Sequence, residues 1–369
     1  MPELAEVFAR YGPAYVEKYG SAMLPSHRRA MQDILRCRTE AMGGQVFCCN
    51  HCGRTHYVYH SCRNRSCPKC HHEQTQDWLA QRRQELLPVG YFHLVFTVPR
   101  ELHACLRSRQ TELYSCFMQA AAQATLQLAD DPHYVGGKIG MLCVLHTWGR
   151  TLSYHPHLHC LVTGGGFHEP SHQWRPARSN YLVPVKALSR MVRDTFKNLL
   201  GPRLGSLNIP ASVWRLPWNV NCQPVRGNVN NVLNYLGRYV HRIAITNNRI
   251  LAMNDGQVTF EYKDTSDQQW KRMTLEAEEF IRRFLQHVLP QSFHKVRYYG
   301  LWSPTYRPLL RRLQLLLTPP EESCSSPDVP ASRMPEAQDD PVSCWTCPYC
   351  GKGLLVFAGL LRRRGRGPP

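Results

Sequence analysis

His157 and His159, flanking Leu158, are the residues of this 369-residue chain best spaced to do chemistry. On an extended strand, residues two apart face the same side. Both imidazoles of the run His155-Pro156-His157-Leu158-His159-Cys160 therefore project together, with Leu158 and Cys160 turned the other way into a core. That is how a strand presents two metal ligands. In a chain with 18 histidines, two partly exposed strand histidines account for the triplet alone equally well. A second element adds weight. Tyr235 and Tyr239 stand at i,i+4 spacing, which on a helix puts both on one face with Cβ atoms about 5–6 Å apart. Histidine ligands with paired phenols point to a nuclease that attacks a phosphodiester with a tyrosine hydroxyl.

Two histidines rarely suffice for a metal, and His146 is the best third ligand. It lies in Leu145-His146-Thr147-Trp148, 11 residues before His157 and across a proposed hairpin. The competing reading packs His146 beside Trp148. Three imidazoles leave coordination positions open for phosphate oxygens, with Mg²⁺ or Mn²⁺ as the physiological ion. Imidazole would also accept Zn²⁺, Co²⁺ or Ni²⁺ in vitro. A tyrosine pair at this spacing is ordinarily a core contact, but Asn230, Asn231, Asn234, Arg238, His241 and Arg242 make a poor core helix. Arg238 and Arg242, on or near the tyrosine face, are candidate DNA contacts.

The formal charge is +18, from 45 Lys and Arg against 27 Asp and Glu. This favours a polyanionic partner. Nucleic acid fits better than a membrane, because no run approaches the roughly 18–20 apolar residues of a spanning helix. The N-terminus lacks the basic and apolar regions of a secretory signal, so a cytosolic location is expected. In that compartment, 16 cysteines read as metal ligands and buried thiols rather than disulfides.

Seven cysteines lie between Cys37 and Cys70. The pairs Cys49-x2-Cys52 and Cys67-x2-Cys70, 14 residues apart, have the spacing of two knuckles around one tetrahedral Zn²⁺. Gly53 and Pro68 suit the turns, and Arg63 and Arg65 would face phosphate. Cys37, Cys62, His60 and His71 are spare ligands, for a second site or for substitution in the first. Cys347-x2-Cys350 is half of a similar knuckle, which Cys344 and Cys324 can complete or which can stay unpaired. Cys105, Cys116, Cys143, Cys160 and Cys222 read as small core residues.

Helices are expected up to about residue 36, over 73–87, 101–128, 186–200, 228–240 and 276–288. Strands are expected at 91–98, 140–148 and 156–162, the last two as antiparallel hairpin neighbours. Ile243–Thr246, Ile250–Met253 and Gln257–Tyr262 read as a small meander, turned by Asn247-Asn248 and Asp255-Gly256. Pro319–Pro341 reads as a linker, and the chain ends in the basic tail Arg362–Arg366. The expected fold is α+β, an antiparallel sheet flanked by helices, preceded by a small cysteine-rich zinc-binding domain. The expected division is 1–85, helical and zinc-binding; 86–315, nuclease; and 316–369, linker and tail.

Three blocks resemble the IS91 family of transposases, in the HUH (His-hydrophobic-His) nuclease superfamily. They are Cys37 through Cys67-Pro-Lys-Cys70, His146-Thr-Trp-Gly149 with His155-Pro-His-Leu-His159, and Tyr235-Leu-Gly-Arg-Tyr-Val-His-Arg-Ile-Ala-Ile245. The resemblance runs from about residue 25 to 310 and is weakest beyond Pro319. It implies an HUH-nuclease-like sheet and rolling-circle-like transposition. A tyrosine would cleave single-stranded DNA at an element end, keep the 5′-phosphate and leave a free 3′-OH. DNA, as element ends and target, is then the partner. A replication initiator or relaxase would share this chemistry, and a non-catalytic zinc-finger DNA-binding protein is the reading from another class. The sequence specifies no oligomeric state.

Overall fold

The computed structural model describes residues 2–225, 232, 237, 243–264, 266–318 and 345–363, apart from the side chains of 71–75, 77 and 204. The expected helix over 228–240 falls outside them except for Val232 and Gly237, and the expected linker lies outside entirely. The architecture is α+β with antiparallel sheets.

Its centre is a five-stranded sheet. The strands are β3 (Tyr91–Thr97), β4 (Gly140–Trp148), β5 (Tyr154–Thr163), β8 (Asn219–Val225) and β12 (Val296–Gly300), in the order β12-β4-β5-β3-β8. β4 and β5 form the expected hairpin. β8 and β12 were not apparent in the sequence. Pro224 confines β8 to an edge, and Val296–Gly300 is too short to show a period. Alternate residues Phe92, Leu94, Phe96, Met141, Cys143, Leu145, Leu158 and Cys160 enter one large core. That core is closed by α4 (His103–Ser108), α5 (Gln110–Asp130) and α6 (Val185–Leu200), which contribute Leu106, Phe117, Ala121, Val192 and Phe196. The opposite face carries Tyr91, Leu142, Val144 and Leu161, packed with Leu87, Val232, Trp302, Leu310 and Leu313. The last two belong to α8 (Arg307–Leu317).

A second core joins the N-terminal helices α1 (Leu4–Tyr19) and α2 (Pro25–Arg36) to a distant meander of β9 (Ile250–Asn254), β10 (Gln257–Lys263) and β11 (Trp270–Glu276). Helix α7 (Ala277–Leu285) closes it, burying Ala277, Phe280, Ile281, Phe284 and Leu285. This is the i, i+3, i+4, i+7, i+8 stripe of an amphipathic helix. Asp255 (φ 48°) and Gly256 (φ 77°) make the two-residue β9–β10 turn, as their type allows. The third strand is a correction to the expected meander. Ile243, Ala244 and Ile245 are all buried and form no strand. Trp270–Glu276 instead alternates between exposed and half-buried positions and pairs with β10. The alternation of Trp270–Glu276 is that of a strand half in water.

The β4–β5 hairpin is pinned to the second core at its tip. Leu152 sits fully buried there at φ 59°, a left-handed conformation that costs a branched residue of order 1–3 kcal/mol. Its carbonyl oxygen accepts hydrogen bonds from Gln286 Nε2 at 2.9 Å and His287 Nε2 at 3.1 Å. On its other side His287 Nδ1 lies 3.3 Å from Thr147 Oγ1. The ring therefore bridges β4 and the turn of the hairpin in a neutral form. Burial pushes it down to about 3, against a smaller opposing effect of the Leu152 bond.

No described helix is long and apolar enough to cross a membrane.

Because His287 is neutral in the fold and has a pKa near 6.5 when unfolded, the unfolded state binds the extra proton between these values. Its contribution is complete above about pH 6.5 and is lost as pH falls towards 3. We expect the unfolding midpoint to drop on acidification from pH 7 to 5, and His287→Gln to flatten that slope. An unchanged slope in the variant would remove His287 from this role.

Candidate metal centre

Register builds the site. His146 on β4 lies directly opposite His157 on β5, and His159 follows one pleat along, opposite Val144. Paired residues of an antiparallel ladder share a face, so all three imidazoles leave the sheet on the side away from the large core. Their ligand nitrogens lie within 4.8 Å of one another. His157 Nε2 and His159 Nε2 are 3.1 Å apart. Among the described residues no carboxylate joins the cluster. Both readings of His146 hold together, since its buried ring stacks on Trp148 at 4.6 Å while meeting His159 edge-on at 4.6 Å.

In two of the three imidazoles the nitrogen facing away from the cluster is spoken for. His157 Nδ1 donates to the His155 carbonyl at 2.7 Å. His159 Nδ1 lies 3.0 Å from Nε2 of His93 on β3, their rings stacked at 5.2 Å. Burial pushes His93 down to about 4, so it stays neutral and can accept the Nδ1–H of His159. Such outer partners fix the tautomer that leaves Nε2 for a metal. The donor set thus fits a divalent ion. Sequence reading missed His93, although a histidine inside the apolar strand Tyr91-Phe-His-Leu-Val-Phe was itself a signal.

The histidines open into a cleft of about 780 Å³ lined also by Arg150, Arg249, Tyr262, Lys263, Asp264 and Trp270. Arg150 Nη1 donates to the carbonyls of Lys263 and Asp264, and Arg249 Nη2 donates to the Arg150 carbonyl. These bonds lean the meander on the site hairpin. Trp270 is 60 % exposed at this wall. A second basic cleft, of about 960 Å³, shares His155 and holds Arg100, His103, Arg107, Arg282 and Arg283. On β8, Asn219 and Asn221 pair with Thr97 and Val95, and Thr97 and Val95 pair with His157 and His159. The exposed amides therefore rim the same face.

The expected nucleophiles Tyr235 and Tyr239, with Arg238 and Arg242, lie outside the described residues. Arg63 is exposed. Arg65, read as a phosphate contact, is turned inward: its guanidinium donates to the carbonyls of Phe293 and Pro290 and braces the cysteine-rich segment against the chain ahead of β12.

The expected grouping of Cys49, Cys52, Cys67 and Cys70 around one ion is not what the fold assembles. Cys67 and Cys70 gather with Cys37 and Cys62, two of the four spare ligands in the sequence. Cys49 and Cys52 lie with Cys347 and Cys350. The reason is the hairpin of β1 (Gly44–Cys49) and β2 (Thr55–Tyr59). Cys37 and Cys62 flank its open end, and Cys49–Cys52 make its turn. Five residue steps of strand, about 17 Å, separate the two. In the first cluster Cys37 Sγ and Cys62 Sγ lie 3.5 and 3.6 Å from Cys70 Sγ.

Alanine at His146, His157 or His159 should abolish Mn²⁺ binding measured by calorimetry while leaving the unfolding transition in place; wild-type affinity in any of the three would take that residue out of the site. His93→Phe keeps bulk but removes the acceptor, and should weaken Mn²⁺ about 10- to 100-fold. Equal affinity in wild type and this variant would make His93 a packing residue only.

Known proteins resemble this chain over most of its length. Residues 7–98 match the family described as "Transposase zinc-binding domain", and residues 140–308 the family described as "Putative transposase". The chain is 38 % identical over 379 residues to "Putative transposase y4qJ" of Sinorhizobium fredii, covering 96 % of this chain and 94 % of that protein. It is 30 % identical over 294 residues to the "Transposase for insertion sequence element IS801" of Pseudomonas savastanoi pv. phaseolicola, covering 72 % and 68 %. No solved structure matches. With histidines gathered on one sheet face, cysteines in two clusters and a relative along nearly its whole length, the chain belongs to the IS91 family of transposases and carries that family's N-terminal zinc-binding domain.

Proposed function

We propose that this transposase cleaves and rejoins single-stranded DNA by tyrosine transesterification, in rolling-circle-like transposition. The observation that carries the reading is the convergence of three imidazoles, two with their rear nitrogens already bonded, on an open basic cleft. His146, His157 and His159 would hold a Mg²⁺ or Mn²⁺ ion, which when bound would supply Lewis acidity toward the scissile phosphate. Arg150, Arg249 and Lys263 hold the backbone by charge, and Trp270 offers a ring on which a base can stack. The second basic cleft continues this path past His155.

Tyr235 and Tyr239 are the proposed nucleophiles, with Arg238 and Arg242 as DNA contacts. Support comes from their described neighbours. Val232 is buried in the cluster on the histidine face, and Gly237 stands against Leu79. A phenol oxygen attacks phosphorus, the 3′-oxygen leaves as a hydroxyl, and the 5′-phosphate stays on the tyrosine. The ester conserves the energy of the broken strand, so rejoining needs no nucleotide. With two tyrosines, one can hold a cleaved end while the other attacks a second strand.

In this reading residues 1–85 dock DNA through the zinc-binding module, residues 86–315 perform the chemistry, and the protein works in the cytoplasm on element ends and target. Relatives named as transposases favour transposition over replication initiation. The histidine cluster argues against a purely structural zinc finger.

Single-stranded element-end DNA with Mn²⁺ should yield a covalent adduct on denaturing gels, with affinity that falls steeply with salt. We expect Tyr235→Phe and Tyr239→Phe each to abolish transposition, and only the double variant to lose every adduct. An adduct surviving in the double variant means that neither phenol is the nucleophile.

A further inference from the structure

Cys49 and Cys52 sit at the turn of the β1–β2 hairpin, and the chain returns to them from nearly 300 residues away. Cys347 and Cys350 face them, with Cys49 Sγ 3.7 Å from Cys350 Sγ and Cys52 Sγ 3.8 Å from Cys347 Sγ. All four sulfurs lie within 4.8 Å of one another. A tetrahedron with metal–sulfur bonds of about 2.3 Å has edges of about 3.8 Å, whereas a disulfide would bring a pair to about 2.05 Å. The spacing is that of four thiolates around one ion.

The two halves are built alike. In Cys49-Asn-His-Cys52-Gly53 the glycine has φ 71° and its N–H donates to the Cys49 carbonyl at 3.0 Å. In Cys347-Pro-Tyr-Cys350-Gly351 the glycine has φ 65° and its N–H donates to the Cys347 carbonyl at 2.9 Å. Backbone N–H groups of His51 and Cys52 point at Cys49 Sγ, and that of Gly353 points at Cys350 Sγ, each at 3.4 Å. Gly353 allows the approach, since a Cβ there would stand 2.4 Å from Cys49 Sγ.

From this centre the tail runs back along the hairpin. Strand β13 (Leu355–Leu361) pairs antiparallel with β1 from Cys49↔Leu355 to Gly44↔Leu361. Asn50 seals the junction, its N–H donating to the Leu354 carbonyl at 3.1 Å while its Oδ1 accepts from the Leu354 N–H at 2.8 Å. Yet the apolar support is small. Among the described residues the local core is Cys49, Cys347 and Leu355, with Phe47 and Cys350 against it. Val356, Phe357 and Leu360 are more than half exposed. Burial on that scale does not offset the entropy of ordering the tail, and a structural metal does.

We propose that Cys49, Cys52, Cys347 and Cys350 bind a second Zn²⁺ that clasps the C-terminal tail onto the N-terminal module. Half its ligands lie outside residues 7–98, the span of the matched zinc-binding domain. The clasp completes a three-stranded ribbon, β13-β1-β2, and draws Arg362 and Arg363 to the start of β1.

The test is zinc content by mass spectrometry of the full-length protein purified without chelator, with His157→Ala and His159→Ala in every sample so that the histidine triad adds no zinc to the count. Two zinc ions per chain are expected. Cys347→Ser/Cys350→Ser should leave one, Cys49→Ser/Cys52→Ser should leave one, and all four changes together should still leave one, held by Cys37, Cys62, Cys67 and Cys70. Cys350→His, which supplies another zinc ligand, should restore two. Hydrogen exchange should show residues 355–361 protected in wild type and in Cys350→His, but exposed in the Cys347/Cys350 serine variant. Two zinc ions in the Cys347/Cys350 serine variant would overturn the proposal, as would loss of all zinc on changing Cys49 and Cys52. Tail protection unchanged in the serine variant would overturn the clasp.

Discussion

The antiparallel register that sets His146 opposite His157 is the constraint on which the candidate site depends. A slip of one residue in β5 would turn His157 and His159 into the apolar core, away from His146, and bring Leu158 and Cys160 to the opposite face. The reverse face of the sheet prevents this. Leu145 opposite Leu158 and Cys143 opposite Cys160 are wholly buried against α5 and α6. Burial of one face thus fixes the chemistry of the other.

The hairpin that carries this register is held at both ends. Its strands belong to the large sheet, and its tip, with Leu152 strained but buried, is clamped by Gln286 and His287 into a different core. That second core is made by the N-terminal helices together with the meander and α7. The cleft over the histidines is walled by the same meander, through Lys263, Asp264 and Trp270. Packing among segments far apart in the chain therefore sets the shape of the cleft, while the ligands come from a short stretch of two strands and their neighbour His93.

The cysteine-rich module follows a different physical rule. Its strands are short and its local core is minute, so apolar burial cannot define it and ligand geometry must. Cys37 and Cys67, by contrast, are buried at the edge of the second core. Arg65 ties the same segment to the nuclease part through the Phe293 and Pro290 carbonyls. The positive charge that suits DNA is accordingly shared between surface arginines and internal struts, and net charge alone does not tell them apart.

Local patterns carried much of this in the sequence. Two-residue spacing marked His157 and His159, a hairpin's length brought in His146, and apolar runs or helical patterns located β3, β4, β5, α6 and α7. These features depend on a few consecutive residues, so the sequence by itself determined the α+β class, the histidine triad and the presence of cysteine knuckles. What depends on distant partners did not show. His93 acquires its meaning only from the pleat that sets it beside His159. Trp270–Glu276 finds its place as the third meander strand only by pairing with β10, and Ile243–Ile245 enters the core instead. Two identical CxxC spacings gave no reason to prefer each other as partners. Only the β1–β2 hairpin, by holding its turn and its open end apart, decided that Cys49 and Cys52 face the C-terminal knuckle, because a cysteine's partners are set by distance in space and a spacing along the chain records only the local turn.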